Sequence, residues 1–244
     1  MRKPRKFRGF VIDRGISPID GNPYVAVLVL RSRNAKTGDM AQVFILRPDI
    51  HPLDALATGA DFTICGNCPH RRRQVWDARR KRFRWVRSCY VDVGKSVTAV
   101  WRAFTRGSYP DWTPDQSHHL RGRRIRWGAY GDPAILTESV VRTLNALADG
   151  HTGYTHQWVE PWAQWSRGLF QASCDSFADY HAAAAAGWRT FAVVPQGATP
   201  YSGKLCPATA ESSQAQCATC RLCDGAKTDI HVVAHGTGAS YVSA

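Results

Sequence analysis

The sequence has no long hydrophobic run. The longest uninterrupted apolar segment is seven residues, at positions 24–30, whereas a membrane-spanning helix requires about 20. The basic stretch at 1–8 leads into no apolar signal-peptide core and no small-residue cleavage site. We therefore expect a protein with no membrane partner that remains in the cytoplasm.

Several catalytic signatures are also missing. The chain contains no glycine-rich phosphate-binding loop, no serine nucleophile elbow, no H-E-x-x-H helix and no internal repeat. With 244 residues, 44% of them hydrophobic, it is long enough to bury a full core. That length suits one large α/β domain better than two small ones.

Acidic residues are scarce, since 19 Asp and Glu stand against 32 Lys and Arg, for a net charge of +13. Segment 71–87 carries +8 and segment 1–8 carries +5, so these two segments account for the whole excess. Trp76, Phe83 and Trp85 alternate with the basic residues as stacking surfaces. The pattern predicts nucleic-acid contacts, and the alternative is a solvated loop that keeps the protein soluble. The predicted contact residues are Arg71, Arg72, Arg73, Arg79, Arg80, Lys81, Arg82, Arg84 and Arg87.

Periodicity predicts an α/β fold preceded by a β-hairpin. Apolar runs at 24–31 and 41–47 flank a turn at 34–38. Beyond residue 60, short apolar runs alternate with helical stretches, as in βα units around a parallel sheet. We predict strands at 61–64, 125–130, 153–156, 170–173, 190–194 and 230–234, and helices at 95–106, 138–148, 162–167 and 177–187. The chain then divides into a basic tail and hairpin preface, 1–59, and an α/β metal-binding domain, 60–244, packed as one unit.

Seven of the eight cysteines fall into two groups, which in an intracellular chain indicates metal sites rather than disulfides. The C-terminal group has the spacing C-x10-C-x2-C-x2-C. Four thiolates can close a tetrahedral zinc site or hold a four-iron four-sulfur cluster. The C-x2-C-x2-C run of three cysteines is more similar to ferredoxin-type ligation than to the paired cysteines of a zinc ribbon. The identity of the metal stays open. The ligands are Cys206, Cys217, Cys220 and Cys223.

The first group consists of Cys65, Cys68 and, after the basic insertion, Cys89. It follows the first predicted βα strand, and ligands of α/β sheets gather at the carboxyl ends of strands. Three thiolates leave one coordination position open for a substrate or cofactor. The alternative is a structural zinc site with His70 as fourth ligand. Cys174 stands alone, and we expect a buried structural thiol.

Polar and aromatic side chains also follow the third predicted strand. Tyr154, Thr155 and His156 offer hydrogen-bond donors, an acid or base and a stacking face at one strand end. Rim packing is the ordinary alternative for an aromatic residue there. We predict a catalytic role for these three residues.

The order of a strand, a three-cysteine loop, a helix and a second strand ending in Gly131, Asp132 and Pro133 resembles the partial (β/α)6 barrel of radical S-adenosylmethionine enzymes. The resemblance implies an α/β partial barrel, here with an N-terminal β-hairpin extension and a C-terminal Cys-rich segment. It also implies a four-iron four-sulfur cluster on the first cysteine group, and S-adenosylmethionine bound at Gly131, Asp132 and Pro133. The spacing differs, because that superfamily usually has C-x3-C-x2-C and this chain has C-x2-C-x20-C.

More narrowly, the chain resembles an uncharacterised family of tailed-bacteriophage proteins. The matching segments are NAKTGDMAQ (34–42), CGNCPHR (65–71), CYV (89–91), YGDP (130–133), TGYTHQW (152–158), GWR (187–189) and the C-terminal cysteines. This implies a phage protein in the cytoplasm of an infected bacterial host. Two functions are compatible with the sequence. One is an iron-sulfur enzyme acting on nucleic acid or a nucleotide, and the other is a non-catalytic, zinc-stabilised nucleic-acid-binding protein.

Overall fold

The hydrophobic runs of the sequence form most of the strands in the computed structural model, which describes residues 8–31, 34–199, 203–209, 213–235 and 238–242. The strands in these residues are β1 (Gly9–Ile16), β2 (Pro23–Val29), β3 (Ala41–Leu46), β4 (Arg73–Asp77), β5 (Arg82–Val86), β6 (Ile125–Tyr130), β7 (His151–Thr152), β8 (Tyr154–Thr155), β9 (Gln171–Cys174), β10 (Thr190–Val194), β11 (Lys204–Leu205) and β12 (Ile230–Val233).

The helices lie mostly between the strands of the sheets. They are α1 (Pro52–Thr58), α2 (Phe62–Cys65), α3 (Thr98–Thr105), α4 (Glu138–Leu147), α5 (Phe177–Ala185) and α6 (Cys217–Cys220). A π-helical turn, Val93–Val97, leads directly into α3, and 3-10 turns form at Pro114–His119, Pro133–Ile135, Pro161–Ser166 and Ala239–Tyr241. Within the described residues, no helix combines the length and hydrophobicity that crossing a membrane requires.

The strands form two five-stranded sheets, and the parallel strands of the first sheet continue into the second. The first has the order β1-β2-β3-β6-β7, antiparallel from β1 to β3 and parallel from β3 to β7. The second has the order β8-β9-β10-β12-β11 and is parallel throughout. Only Gly153 separates β7 from β8. The loops that follow β3, β6, β8, β9, β10 and β12 therefore emerge at corresponding strand ends.

The main core lies around the first sheet. All six residues of β3 are buried, and β2 is buried along its centre, which is the pattern of strands covered on both faces. Phe10, Leu28, Trp127 and Phe170 belong to this core and are almost fully buried. The indole of Trp127 donates a hydrogen bond of 2.8 Å to Asn145 Oδ1, so β6 is tied to α4.

Most sequence-based elements are confirmed. The β2–β3 hairpin forms and gains β1 as a third strand, while the strands predicted at 125–130 and 190–194 match β6 and β10. The strand predicted at 153–156 shrinks to β8, and the helix predicted at 162–167 is the 3-10 turn Pro161–Ser166. Because β3 pairs with β6, the predicted preface and the α/β region share one sheet. The basic residues 1–7 lie outside the described residues.

The strand predicted at 61–64 is wrong, because these residues form α2. An apolar run this short has no periodicity that distinguishes a strand from a helical turn. Glycines with positive φ, Gly59 and Gly66, bound it on both sides, and the Cys65 N–H bonds to the Asp61 carbonyl oxygen at 3.0 Å in helical fashion. The first parallel strand is instead β3, the second strand of the hairpin.

Gly131 allows the end of β6 to approach β3 closely. Its φ is +81°, and a Cβ there would lie 2.7 Å from the Ile45 Cβ. A Cβ at Gly131 would also lie 3.3 Å from the Ile64 carbonyl oxygen in α2. The N–H of the next residue, Asp132, donates to that oxygen. Gly168 has a similar φ of +83° but no neighbour within 4 Å of a Cβ.

We expect Gly131→Ala to lower the melting temperature clearly more than Gly168→Ala. Both changes carry the left-handed backbone cost of about 1 kcal/mol. Only Gly131→Ala adds an overpacking cost of about 1–3 kcal/mol, because its methyl group meets Ile45. Equal melting temperatures for the two variants, measured by circular dichroism, would contradict this account of the β3–β6 contact.

Candidate metal centres and the cavity between them

The first cysteine group is assembled by a hairpin. Cys65 ends α2, and the Cys68 N–H bonds back to the Cys65 carbonyl oxygen at 3.3 Å. The chain then leaves as β4 and β5 and returns, so that the Cys89 N–H donates to the His70 carbonyl oxygen at 3.0 Å. The basic insertion therefore closes on itself, and Cys89 lies beside the two earlier cysteines despite the gap in sequence.

These thiols are partly buried and close enough to influence one another. Burial and the neighbouring Cys68 raise the pKa of Cys65 well above its usual range. Burial also raises the pKa of Cys89, and Cys68 adds to it. Three thiolates at this position therefore require a cation, and metal binding would release protons.

The C-terminal group lies at the opposite end of the parallel strands. The Cys217 N–H donates to the Lys36 carbonyl oxygen, and the Cys223 carbonyl oxygen accepts from the Gly153 N–H, both at 3.0 Å. Lys36 precedes β3 and Gly153 precedes β8, so these anchors mark the amino ends of the strands. Cys206 follows β11 directly and donates its N–H to the His231 carbonyl oxygen at 2.8 Å.

A short helix and a left-handed residue bring these four thiols together. Cys217 and Cys220 are the first and last residues of α6, and three-residue spacing places them on one helix face. Arg221 then adopts a φ of 59° and reverses the chain before Cys223. Burial raises the pKa of Cys223 strongly, and the thiols of the other three cysteines of the group raise it further.

Arg126 is a positive charge that lowers the pKa of Cys217 and of Cys223 in this group. Burial lowers the pKa of Arg126, but Tyr90, Tyr154 and Cys217 together raise it by more. The guanidinium therefore stays charged. It donates hydrogen bonds to the hydroxyl groups of Tyr90 and Tyr154, which lie 2.9 Å from each other. In the described residues no carboxylate forms an ion pair with Arg126. A negatively charged metal–thiolate centre would balance it.

All seven grouped cysteines line one cavity of about 330 Å³. Arg126, Gly128 and Tyr130, spaced two residues apart along β6, also line it. Side chains two apart on a strand face the same way, so the cavity runs along β6 from the C-terminal cysteine group to the first group. Tyr154 stacks on Phe191 in its wall, with ring centroids 4.4 Å apart.

The structure brings two of the three predicted catalytic residues to this cavity. Tyr154 and His156 line it, whereas Thr155 is fully buried, and its hydroxyl oxygen accepts the Gln157 N–H at 2.9 Å. Successive side chains of a strand point to opposite faces. Thr155 therefore supports the strand end and does not face the cavity.

Asp132 is held by the protein itself. One carboxylate oxygen caps the 3-10 turn at the Ala134 N–H (3.0 Å), and the other accepts the His156 N–H (2.8 Å). Gln157 Nε2 is a third donor, 3.4 Å away. Burial raises the pKa of Asp132. The side chain thus ties the end of β6 to the end of β8, while Pro133 begins the capped turn; cofactor binding by Gly131, Asp132 and Pro133 stays a prediction.

Asp175 is a site residue that the sequence did not reveal. It follows β9 directly and lies 2.8 Å from His70 Nε2 and 3.1 Å from His156 Nε2. Asp175 precedes Ser176, the N-cap of α5, so the sequence around it is typical of a helix cap. Its position two residues beyond the end of the strand predicted at 170–173 was the available signal. Cys174, just before it, is fully buried as expected.

His70 turns towards Asp175, and its Nδ1 lies 2.8 Å from Ser88 Oγ. Within the described part of the chain, the only set of three metal-ligand types with all atoms inside 4.8 Å contains His70, His156 and Asp175. The structure therefore does not place His70 in a compact ligand set with the cysteines.

The basic insertion has a structural base and an exposed tip. Five of its predicted nucleic-acid residues contact this chain: Arg71 pairs with Asp61, Arg72 lies over Trp85, and Arg73, Arg84 and Arg87 donate to oxygens of Tyr241, Cys89 and Val91. The other four form the tip, are exposed, and make no ion pair with the described residues: Arg79, Arg80, Lys81 and Arg82. Trp76, Phe83 and Trp85 are each more than half exposed beside them.

Comparison with known proteins yields no relative: no protein-family model, no curated protein and no solved structure matches this chain.

We expect Cys220→Ala to lower both metal content and stability. If four thiolates close the C-terminal site, its binding free energy is folding free energy, and losing one ligand should cost about 3–5 kcal/mol. Cys174→Ala is the matched control, because it removes a buried thiol outside both groups and should cost about 1 kcal/mol. Elemental analysis and thermal unfolding measure the two effects. Unchanged metal content in Cys220→Ala would contradict a site of four thiolates.

Proposed function

We propose that this protein is an iron-sulfur enzyme of the radical S-adenosylmethionine type that acts on nucleic acid or a nucleotide. The observation that carries the proposal is the three-thiolate group, which faces a cavity from the carboxyl ends of parallel strands. Three ligands leave one coordination position for a cofactor, and active sites of parallel α/β folds lie at this edge.

The strand order supports the finer fold. β3, β6, the β7–β8 pair, β9, β10 and β12 are parallel neighbours in the order of the sequence. Helical segments lie in all five connections between them, the last being α6. Six parallel strands in sequence order with helical connections are what a partial (β/α)6 barrel requires, with β1 and β2 as an extension and the C-terminal cysteines as an appended segment.

The sulfur atoms are spaced more widely than the ligands of a single tetrahedral ion, and an iron-sulfur cluster is compatible with that spacing. Zinc–sulfur bonds of about 2.3 Å place the thiolates of a tetrahedral site about 3.8 Å apart. In the described residues no three cysteine sulfurs lie within 4.8 Å of one another. In a four-iron cluster each thiolate binds a different iron atom, so the ligand sulfurs are farther apart.

The residues of the cavity suit a phosphate-bearing, aromatic substrate. When bound, the cluster supplies an electron and an iron position for S-adenosylmethionine. The guanidinium groups of Arg71, Arg87 and Arg126 line the cavity and match phosphate oxygens. The stacked Tyr154 and Phe191 rings offer an aromatic wall for a base. In this proposal the protein residues bind and orient the substrate, and they exclude water from the cavity.

The second candidate function is a non-catalytic, zinc-stabilised nucleic-acid-binding protein. The exposed hairpin tip favours it, because four unpaired cations and three exposed aromatic rings form a surface typical of sequence-tolerant nucleic-acid binding. This surface is compatible with the enzyme as well, where it would hold a nucleic-acid substrate. The identity of the bound metal separates the two functions.

We expect protein purified without oxygen to be brown and to contain iron and acid-labile sulfide. Cys89→Ala should abolish the binding of S-adenosylmethionine, measured by calorimetry, and lose the iron of the first group. Its melting temperature should fall less than that of Cys220→Ala, because an open site contributes more to function than to the scaffold. Colourless protein with stoichiometric zinc and no iron would exclude the enzyme and favour the zinc-stabilised binding protein.

We expect the affinity for nucleic acid to fall steeply with salt, and the hairpin tip to produce much of that slope. Changing Arg79, Arg80, Lys81 and Arg82 to Gln should reduce the slope of log affinity against log salt by about 3–4 units. The matched control changes Lys95, Arg102, Arg106 and Arg121 to Gln, which removes the same charge from other exposed positions. Equal slopes for the two variants, measured by fluorescence anisotropy, would limit the tip to a role in solubility.

A further inference from the structure

We propose that His70, His156 and Asp175 bind a single divalent transition-metal ion beside the first cysteine group, with a ligand set that contains no cysteine. The three side chains come from the loop after Cys68, the end of β8 and the end of β9. Their ligand atoms all lie within 4.8 Å of one another. The proposal goes beyond the proposed enzyme function and holds whether the cysteines bind iron or zinc.

The distances fit ligands that surround one ion. Asp175 Oδ1 lies 2.8 Å from His70 Nε2, and Asp175 Oδ2 lies 3.1 Å from His156 Nε2. Nitrogen and oxygen ligands bind zinc at about 2.0–2.2 Å, so neighbouring ligands around an ion are separated by about 3 Å. The imidazole rings are nearly perpendicular, at 76°, with centroids 5.8 Å apart. Both rings can therefore direct a nitrogen at the same point without clashing.

The directions of the polar atoms also point to an ion. His70 Nε2, His156 Nε2 and Asp175 Oδ1 are buried, and the angles of the short contacts between them fall outside ordinary hydrogen-bond geometry. Buried polar atoms are rarely left unsatisfied in native proteins. When two ligand atoms share an ion, their lone pairs point at the ion and not at each other. Such an arrangement gives short contacts with poor hydrogen-bond angles, as observed here.

The surrounding contacts hold the ligands in place. Ser88 Oγ lies 2.8 Å from His70 Nδ1, which leaves Nε2 as the nitrogen that faces the ion. The Asp132 carboxylate accepts the backbone N–H of His156 at 2.8 Å and fixes the end of β8. Asp132 is thus a positioning residue for the metal site. The three ligand side chains are 14–17% exposed, so the site is nearly closed to solvent.

The donor set indicates the class of ion. Two imidazoles and one carboxylate suit iron, manganese, cobalt or zinc, and leave coordination positions open. His70 and His156 line the cavity, so the open positions face the same space as the first cysteine group. A ligand in the cavity could therefore contact this ion directly. His156, predicted from the sequence as a catalytic residue, becomes a metal ligand.

Manganese is the best probe because it prefers nitrogen and oxygen ligands and binds thiolates weakly. Protein purified without oxygen, with its cysteine centres loaded, is titrated with Mn²⁺ while free Mn²⁺ is followed by electron paramagnetic resonance. We expect one Mn²⁺ per chain. Asp175→Asn keeps the shape of the side chain but should weaken binding at least tenfold, whereas Asp54→Asn, at an exposed position of α1, should leave it unchanged.

Two further measurements test whether Mn²⁺ binds at these three residues and not at the cysteine groups. Spin-echo spectra of the Mn²⁺-bound parent protein should contain the coupling of two imidazole nitrogens, a signature that needs no variant. Iron and sulfide content should be the same in Asp175→Asn as in the parent, which separates this site from the cysteine centres. Failure to bind Mn²⁺, binding that survives Asp175→Asn, or spectra without nitrogen coupling would each overturn the proposal and leave a histidine–carboxylate ion pair.

Discussion

The parallel pairing of the strands from β3 to β12 is the constraint on which the cysteine groups and the His70–His156–Asp175 cluster depend. Parallel strands align their carboxyl ends, so the residues that follow β6, β8 and β9 meet although they are far apart in sequence. Asp132, His156 and Asp175 occupy these three strand ends. Gly153 maintains the alignment across the two sheets, because a Cβ there would lie 2.6 Å from the Phe170 ring.

The second constraint is the cost of buried thiolate charge. Seven cysteines line one cavity, and burial raises the pKa of several of these thiols. Ionised thiolates are stable in such an environment only beside cations. Arg126 supplies one positive charge near the C-terminal group, and bound metal would supply the rest. If the cysteines bind metal, metal loading would be coupled to folding.

The hairpin of β4 and β5 separates two roles within one insertion. Its base is tied to the fold through Arg71, Arg73 and Arg84, and its return closes the cysteine group at Cys89. Its tip carries the unpaired cations. Changes in the tip can therefore alter the surface without disturbing the ligands, which makes the hairpin a suitable place for a binding function that varies independently of the centre below it.

The sequence by itself determined the α/β class, the antiparallel β2–β3 hairpin, the strands at β6 and β10, and the two cysteine groups. Each of these depends on local signals, namely hydrophobic periodicity, turn residues or short cysteine spacing, and needs no knowledge of distant contacts. The same local signals were insufficient at 61–64, where the segment caps and begins a short helix and β3 takes the place of the first parallel strand.

Only the tertiary structure decided which residues share a site. The side of the strand on which Thr155 lies follows from the pairing of β8 and not from its polarity. Asp132 became a brace between strand ends, and Asp175 entered the site through contacts with His70 and His156. The single cavity that joins the two cysteine groups is likewise a long-range property. Pairwise contacts between residues 19 to 105 positions apart leave no periodic pattern in a single sequence, so the fold had to bring them together.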